Sequence, residues 1–170
     1  MLRYAVLFAM MHLLSGAIAQ DLSELDKRNG FKDIKLTTPV DSVKGLKFRK
    51  DFRESDEFEC KLYSVEHGDY EKIGEVAVKK VELKAYKGLI YEIAIVTEKD
   101  PRLMKALQSI FGLPEYDLKS ETYFWKTSNI TLKFRSHSKN LLELVYYSTI
   151  VRKMMKDDKG KKVEAIANDF

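Results

Sequence analysis

One cysteine, Cys60, stands among 170 residues, so no intramolecular disulfide is available. A chain of this length buries roughly 70% of the surface its unfolded form exposes, and needs no covalent staple to fold. Residues that carry chemistry are as scarce. Past position 12 the histidines are His67 and His137, both in segments that read as turns. No helical stretch carries histidines four apart, no glycine-rich loop opens a helix to cradle phosphate, and no serine sits in a nucleophile-elbow pattern. Glu66-His67-Gly68-Asp69 is the one local set of metal-type donors, and a solvated turn accounts for it. Cys60 shares a strand face with Phe58 and Leu62, where a small buried thiol is the ordinary outcome. Glu54, Asp56, Glu57 and Glu59 lie among other charges, with no apolar setting to raise one carboxyl for acid–base work. These absences speak against an enzyme and name no catalytic residue, cofactor or metal. An unrecognised hydrolase ranks third among the readings.

Charge of one sign is lacking too. The chain has 30 basic and 26 acidic residues, a formal net charge of +4, interleaved as in Lys32-Asp33 and Arg49-Lys50-Asp51. Nucleic-acid-binding domains cluster basic charge on one face, so nucleic acid is not an expected partner. Between Arg152 and Lys162 the lysines are broken by Asp157 and Asp158. That pattern favours a solvated helix over one lying on an anionic membrane. No low-complexity linker divides residues 20–170, which read as one domain.

What is present begins with a leader. Arg3 precedes a mostly apolar run from Tyr4 to Leu14, Ser15 and Gly16 loosen the chain, and Ala17-Ile18-Ala19 presents small residues before Gln20. This is the order of a secretory signal peptide. It predicts a protein exported to the periplasm or beyond, cleaved near Ala19–Gln20. Gln20 stands where a lipoprotein would carry its cysteine, so no lipid anchor is expected there.

Periodicity predicts α+β architecture, an antiparallel sheet packed against two main helices. A short helix over 21–30 starts at Asp21 and stops at Gly30; Phe31, Ile34 and Leu36 mark a brief strand. Thr38, Pro39 and Asp41 punctuate a second short helix ending at Gly45. Strands follow from Leu46 to Thr97. Lys79-Lys80 shifts the alternation as a bulge would, Lys87-Gly88 suits a tight turn, and 89–96 is apolar on both faces, as in a central strand. Asp100, Pro101 and Gly112 bound the clearest helix, over 100–112, with Leu103, Met104, Leu107, Ile110 and Phe111 on one face. Strands over 122–126, 130–135 and 141–148 precede a helix over 149–167, which Gly160 is expected to fray or break. A capped helix followed by antiparallel strands occurs twice, at 38–97 and 100–148, as a duplicated unit would show.

Two aromatic runs supply the ligand hypothesis. Tyr123-Phe124-Trp125 must place an aromatic on each strand face, and Tyr146-Tyr147 repeats the pattern. Tyr123, Trp125, Tyr146 and Tyr147 are therefore the candidate ligand-binding residues, as a stacking platform for a small molecule or glycan. Asn129-Ile130-Thr131 matches a glycosylation acceptor, relevant in a host that glycosylates exported proteins.

The run from Gly30-Phe31 through Ile34-Lys35 to Thr38-Pro39, with Val40 and Val43, resembles the opening of a group of small exported bacterial proteins of unassigned function. Phe111-Gly112-Leu113-Pro114, then Trp125 and 130–134, match the later turn, tryptophan strand and apolar pair of that group. Thr37 stands where the pattern has glycine. The resemblance implies an exported α+β domain and brings no catalytic residue. The helix-then-sheet order also looks like small envelope-assembly and β-lactamase-inhibitor-type domains, a fold-level analogy to proteins that act by binding. The leading reading is a non-catalytic envelope interaction or accessory module, using a sheet face or the loops around 51–58 and 66–72. Its expected partner is another envelope or secreted protein; the alternative is the small-molecule or glycan binder.

Overall fold

The computed structural model describes residues 22–170, so the signal-peptide reading and its cleavage site lie outside the described residues. The chain opens with α1 (Ser23–Arg28) and a tiny hairpin, β1 (Gly30–Phe31) and β2 (Ile34–Lys35). Then come β3 (Leu46–Glu54), β4 (Phe58–Val65), β5 (Lys72–Ile73), β6 (Val76–Tyr86) and β7 (Leu89–Glu98). After α2 (Pro101–Phe111) follow β8 (Glu115–Asp117), β9 (Thr122–Lys126), β10 (Ile130–Ser138), β11 (Leu141–Ser148) and α3 (Thr149–Ala167). The fold is α+β and mostly antiparallel sheet.

Eight of these strands lie in the order β3-β4-β6-β7-β11-β10-β9-β8, each antiparallel to its neighbour, with β5 as a short addition beside β6. Two meanders thus run inward from opposite edges and meet where β7 pairs with β11. One row of directly opposed residues crosses the sheet: Phe48, Tyr63, Leu83, Ile93, Tyr146, Leu132 and Trp125. All but the edge residue Phe48 are buried, beneath Leu25 of α1 and Leu103, Leu107 and Phe111 of α2. Each fully buried aliphatic side chain here contributes about 1.5–3 kcal/mol of transfer free energy. On the opposite face, Val151 and Met155 of α3 cover Cys60, Tyr86 and Tyr91.

β7 is central, as its two apolar faces require. Two register shifts set its contacts, one between Val78 and Lys80 and one between Lys84 and Ala85. The first is the bulge that Lys79-Lys80 announces. The second passes from Lys84↔Glu92 to Ala85↔Ile90 and leaves Tyr91 without a direct partner on β6. Tyr91 and Glu92 then both face α3. Lys87 and Gly88 both have positive φ, as a two-residue hairpin turn of matching twist demands.

Several local expectations are corrected. Over 38–45 the structure holds only a single 3-10 turn, Val40–Ser42. The Thr38 hydroxyl donates to the Lys35 carbonyl, and the Val40 amide donates to Gly88, so the groups that would start a helix join the sheet margin instead. Phe31 and Ile34 belong to two strands of a hairpin, not to one. His137 lies at a bulge in β10, outside any turn. Gly160 neither frays nor breaks α3, which continues through it to Ala167; its cost of about 1 kcal/mol is small beside the favourable residues around it.

The resemblance positions acquire a physical meaning. Gly30 has φ 138°, and a Cβ there would sit 2.3 Å from the Ile34 carbonyl oxygen, so only glycine fits. Thr37 has φ 65°, the left-handed conformation that glycine adopts at less cost.

Candidate interaction surface

The α2–β9 corner is built from inside outward. The Asp100 carboxylate accepts the Arg102 amide at 2.8 Å and starts α2, while Gly112, at φ 77°, ends it. Trp125, only 1% exposed, packs edge-on against Phe111 with ring centres 6.2 Å apart. Its Nε1 donates to the Gly112 carbonyl oxygen at 2.9 Å, pinning the turn after the helix to β9. The β8–β9 turn is closed by Asp117, whose carboxylate accepts the Lys119 amide and the Ser120 hydroxyl at 2.9 and 2.7 Å. Those bonds, the Ser120 hydroxyl foremost, hold its carboxyl below the usual range.

A rigid frame therefore displays what it leaves outside. Leu113 is 73% and Leu118 82% exposed, and Ile110, Tyr116 and Tyr123 are exposed beside them. The Tyr116 and Tyr123 rings lie 4.6 Å apart. Five large apolar side chains within residues 110–123 are thus exposed on the stretch that runs from the end of α2 through the edge strand β8 to β9. Contiguous exposed apolar surface marks interaction sites. β8 pairs only with β9 among the described residues, so its outer backbone groups are also unpaired.

The four aromatic residues singled out in the sequence are not gathered on one surface. Trp125 and Tyr146 lie in the core, and Tyr147 is on the opposite face beneath the guanidinium of Arg152, 5.0 Å from its ring centre. Tyr123 alone belongs to the exposed edge. Leu113, Tyr116 and Leu118 escaped sequence reasoning because β8 has only three residues, too few to show alternation. The turn signal of Gly112-Leu113-Pro114 with apolar residues at 113, 116 and 118 was the available trace.

A second polar cluster lies between the sheet and α3. The Tyr91 hydroxyl donates to Glu54 Oε2 at 3.0 Å. Lys84 Nζ stands 3.5 Å from Glu54 and 3.2 Å from Glu92, and Arg152 is 3.8 Å from Glu54. Burial pushes the Glu92 carboxyl, the Tyr91 hydroxyl and the Cys60 thiol up from their ordinary values. Each carboxylate has a cation or hydroxyl bound to it, and the raised thiol is the opposite of an activated nucleophile. This arrangement fastens elements together. A concavity of about 820 Å³ opens near the β3–β4 tip, where Asp51, Arg53, Glu59 and Lys61 mix both signs of charge. His67 accepts the Asp69 amide at 3.3 Å and caps the 3-10 turn Gly68–Tyr70. Among the described residues, no group of three or more His, Cys, Asp or Glu side chains is placed to hold a metal ion, and no helix is long and apolar enough to cross a membrane. Comparison of the chain with protein-family models, with curated proteins and with solved structures gives no match.

Proposed function

We propose that this chain is an exported, non-catalytic binding module of the cell envelope, which engages a protein partner through the edge formed by residues 110–123. The observation that carries the reading is the exposure of Leu113, on the turn that Trp125 fastens, and of Leu118, on the β8–β9 turn that Asp117 closes. Each exposed leucine forgoes about 1.5–3 kcal/mol that a partner's surface would recover. A pinned turn also loses little entropy on binding. Crosslinking and co-purification of the tagged protein from its native envelope is expected to yield one dominant protein. Leu113→Asp with Leu118→Asp is expected to cut that capture at least ~10-fold while leaving the fold intact by circular dichroism. Unchanged capture by the double variant would remove this surface from the reading.

The glycan or small-molecule reading keeps one supporting observation, the exposed and adjacent Tyr116 and Tyr123 rings. Sugar binding lost in Tyr123→Ala, with protein capture unaffected, would favour it over the first.

We also read residues 38–97 and 100–148 as a duplicated unit, in which the 3-10 turn Val40–Ser42 stands before the β3–β7 meander where α2 stands before the β8–β11 meander. What supports this is the inward run of both meanders to the β7–β11 pair. α2 and α3, on opposite faces of the sheet, are the two longest helices and stand for the two main ones in this reading. Pieces divided at Lys99 and co-expressed are expected to co-purify as one folded species; pieces that stay unfolded together would argue against two modular halves.

A further inference from the structure

We propose that the β8 edge receives the β3 edge of a second copy of this chain, extending the sheet head to tail. The proposal rests on the reading of residues 110–123 as a binding edge and names its occupant. Strand direction permits it. The eight strands alternate across the sheet, so β3 and β8, at opposite edges, are antiparallel, and a copy displaced sideways continues the alternation with like faces together.

The sheet's own rows set the register. One row of opposed residues starts at Lys47 on β3 and passes through Ser64, Glu82, Ala94, Val145, Lys133 and Phe124 to Glu115 on β8. Continuing that row into the next copy sets Glu115 against the second copy's Lys47, an opposite-charge cross-strand pair. One residue along, on the α1/α2 face, Tyr116 meets the second copy's Leu46, and its exposed Phe48 falls beside Pro114. Asp117 then lies diagonal to the second copy's Lys47 and near its Lys44. Each strand edge is unpaired within one copy, β3 pairing only with β4 and β8 only with β9 among the described residues, and Phe48 is 54% exposed; Lys47 already holds Glu66 of its own copy, so Glu115 joins an existing ion pair.

Charge also selects against the other pairings. Two β3 edges would bring together strands in which Lys47, Arg49, Lys50 and Arg53 outnumber Asp51 and Glu54, and two β8 edges would bring together Glu115 and Asp117. Charged edge strands ordinarily discourage association; here the opposite net signs of the two edges favour the head-to-tail pairing. Such a contact is heterologous and does not close on itself as a two-fold dimer does, so copies add in sequence, with the twist of the sheet. Because β8 is three residues long, the ladder is short and the association weak and concentration-dependent.

Sedimentation velocity of the purified protein over a wide concentration range tests this. The wild type is expected to increase in average mass with concentration. Glu115→Lys with Asp117→Lys sets lysines against the second copy's Lys44 and Lys47, and Lys44→Glu with Lys47→Glu sets glutamates against its Glu115 and Asp117; each variant alone is expected to weaken association at least ~10-fold. An equimolar mixture of the two is expected to regain it, an outcome that misfolding of either variant cannot produce. A wild type that stays monomeric at its solubility limit, or a mixture that stays monomeric while the wild type associates, would overturn the proposal. If the monomeric wild type still captures a different protein through Leu113 and Leu118, the binding-module reading stands and only the identity of the occupant falls.

Discussion

Replacing Trp125 by alanine is expected to lower unfolding stability by about 3–5 kcal/mol, measured by urea denaturation followed by far-UV circular dichroism. The indole is 1% exposed, lies opposite Leu132 across the β9–β10 ladder and packs on Phe111. Its loss removes the largest buried side chain and opens a cavity between α2 and the sheet. The Gly112 carbonyl also loses the indole as its donor, a hydrogen bond worth about 0.5–1.5 kcal/mol. Domains of this size carry about 5–15 kcal/mol in total, so the variant approaches the limit of folding. Trp125→Phe restores most of the volume without the donor, and is expected to lose less stability while still loosening the turn that presents Leu113. A loss below about 1 kcal/mol for the alanine variant would place the indole outside the core and reopen a ligand role for it.

Lys84→Met is expected to destabilise by about 2–4 kcal/mol at neutral pH, because it strands Glu92 and Glu54 beneath α3 without their nearest cation. Burial already holds the Glu92 carboxyl above its ordinary value. An acid whose folded-state pKa is raised binds its proton more tightly when folded. The stability it contributes is therefore full below the unfolded pKa and is lost as pH rises through the folded one. Removing Lys84 raises the folded value further, so the deficit of the variant is expected to shrink on acidification from neutrality toward the ordinary carboxylate range. Lys84→Met combined with Glu92→Leu replaces the pair by apolar groups and is expected to recover most of the loss. Denaturation curves over pH for both variants check this; a deficit that does not change with pH would show that Lys84 acts through its packing on Phe52 alone.

How far each part could be read from the chain follows the range of the forces involved. α2 was legible because its cap, its starting proline and its terminating glycine are local and agree with a helical apolar period. The alternation of Ile130, Leu132 and Phe134, the Lys79 bulge and the Lys87-Gly88 turn were legible for the same reason: neighbours in sequence fix them. The helix expected over 38–45 failed because its amide was claimed by Gly88, a partner far along the chain. Consecutive aromatics at 123–125 announce that Tyr123 and Trp125 share one face and Phe124 takes the other, but only the seating of α2 decides that Trp125 is covered and Tyr123 left exposed.

By itself the sequence determined an α+β chain with interleaved charge and little catalytic equipment, since composition, caps and alternation are properties of short segments. The tertiary structure alone decided which apolar residues remain at the surface and which charges share a row. Leu113 and Leu118 are ordinary leucines in the sequence; they are exposed because β8 ends the sheet and nothing among the described residues packs beyond it. Lys47 and Glu115 stand far apart in the chain, and only seven antiparallel pairings in succession put them at the two ends of one row.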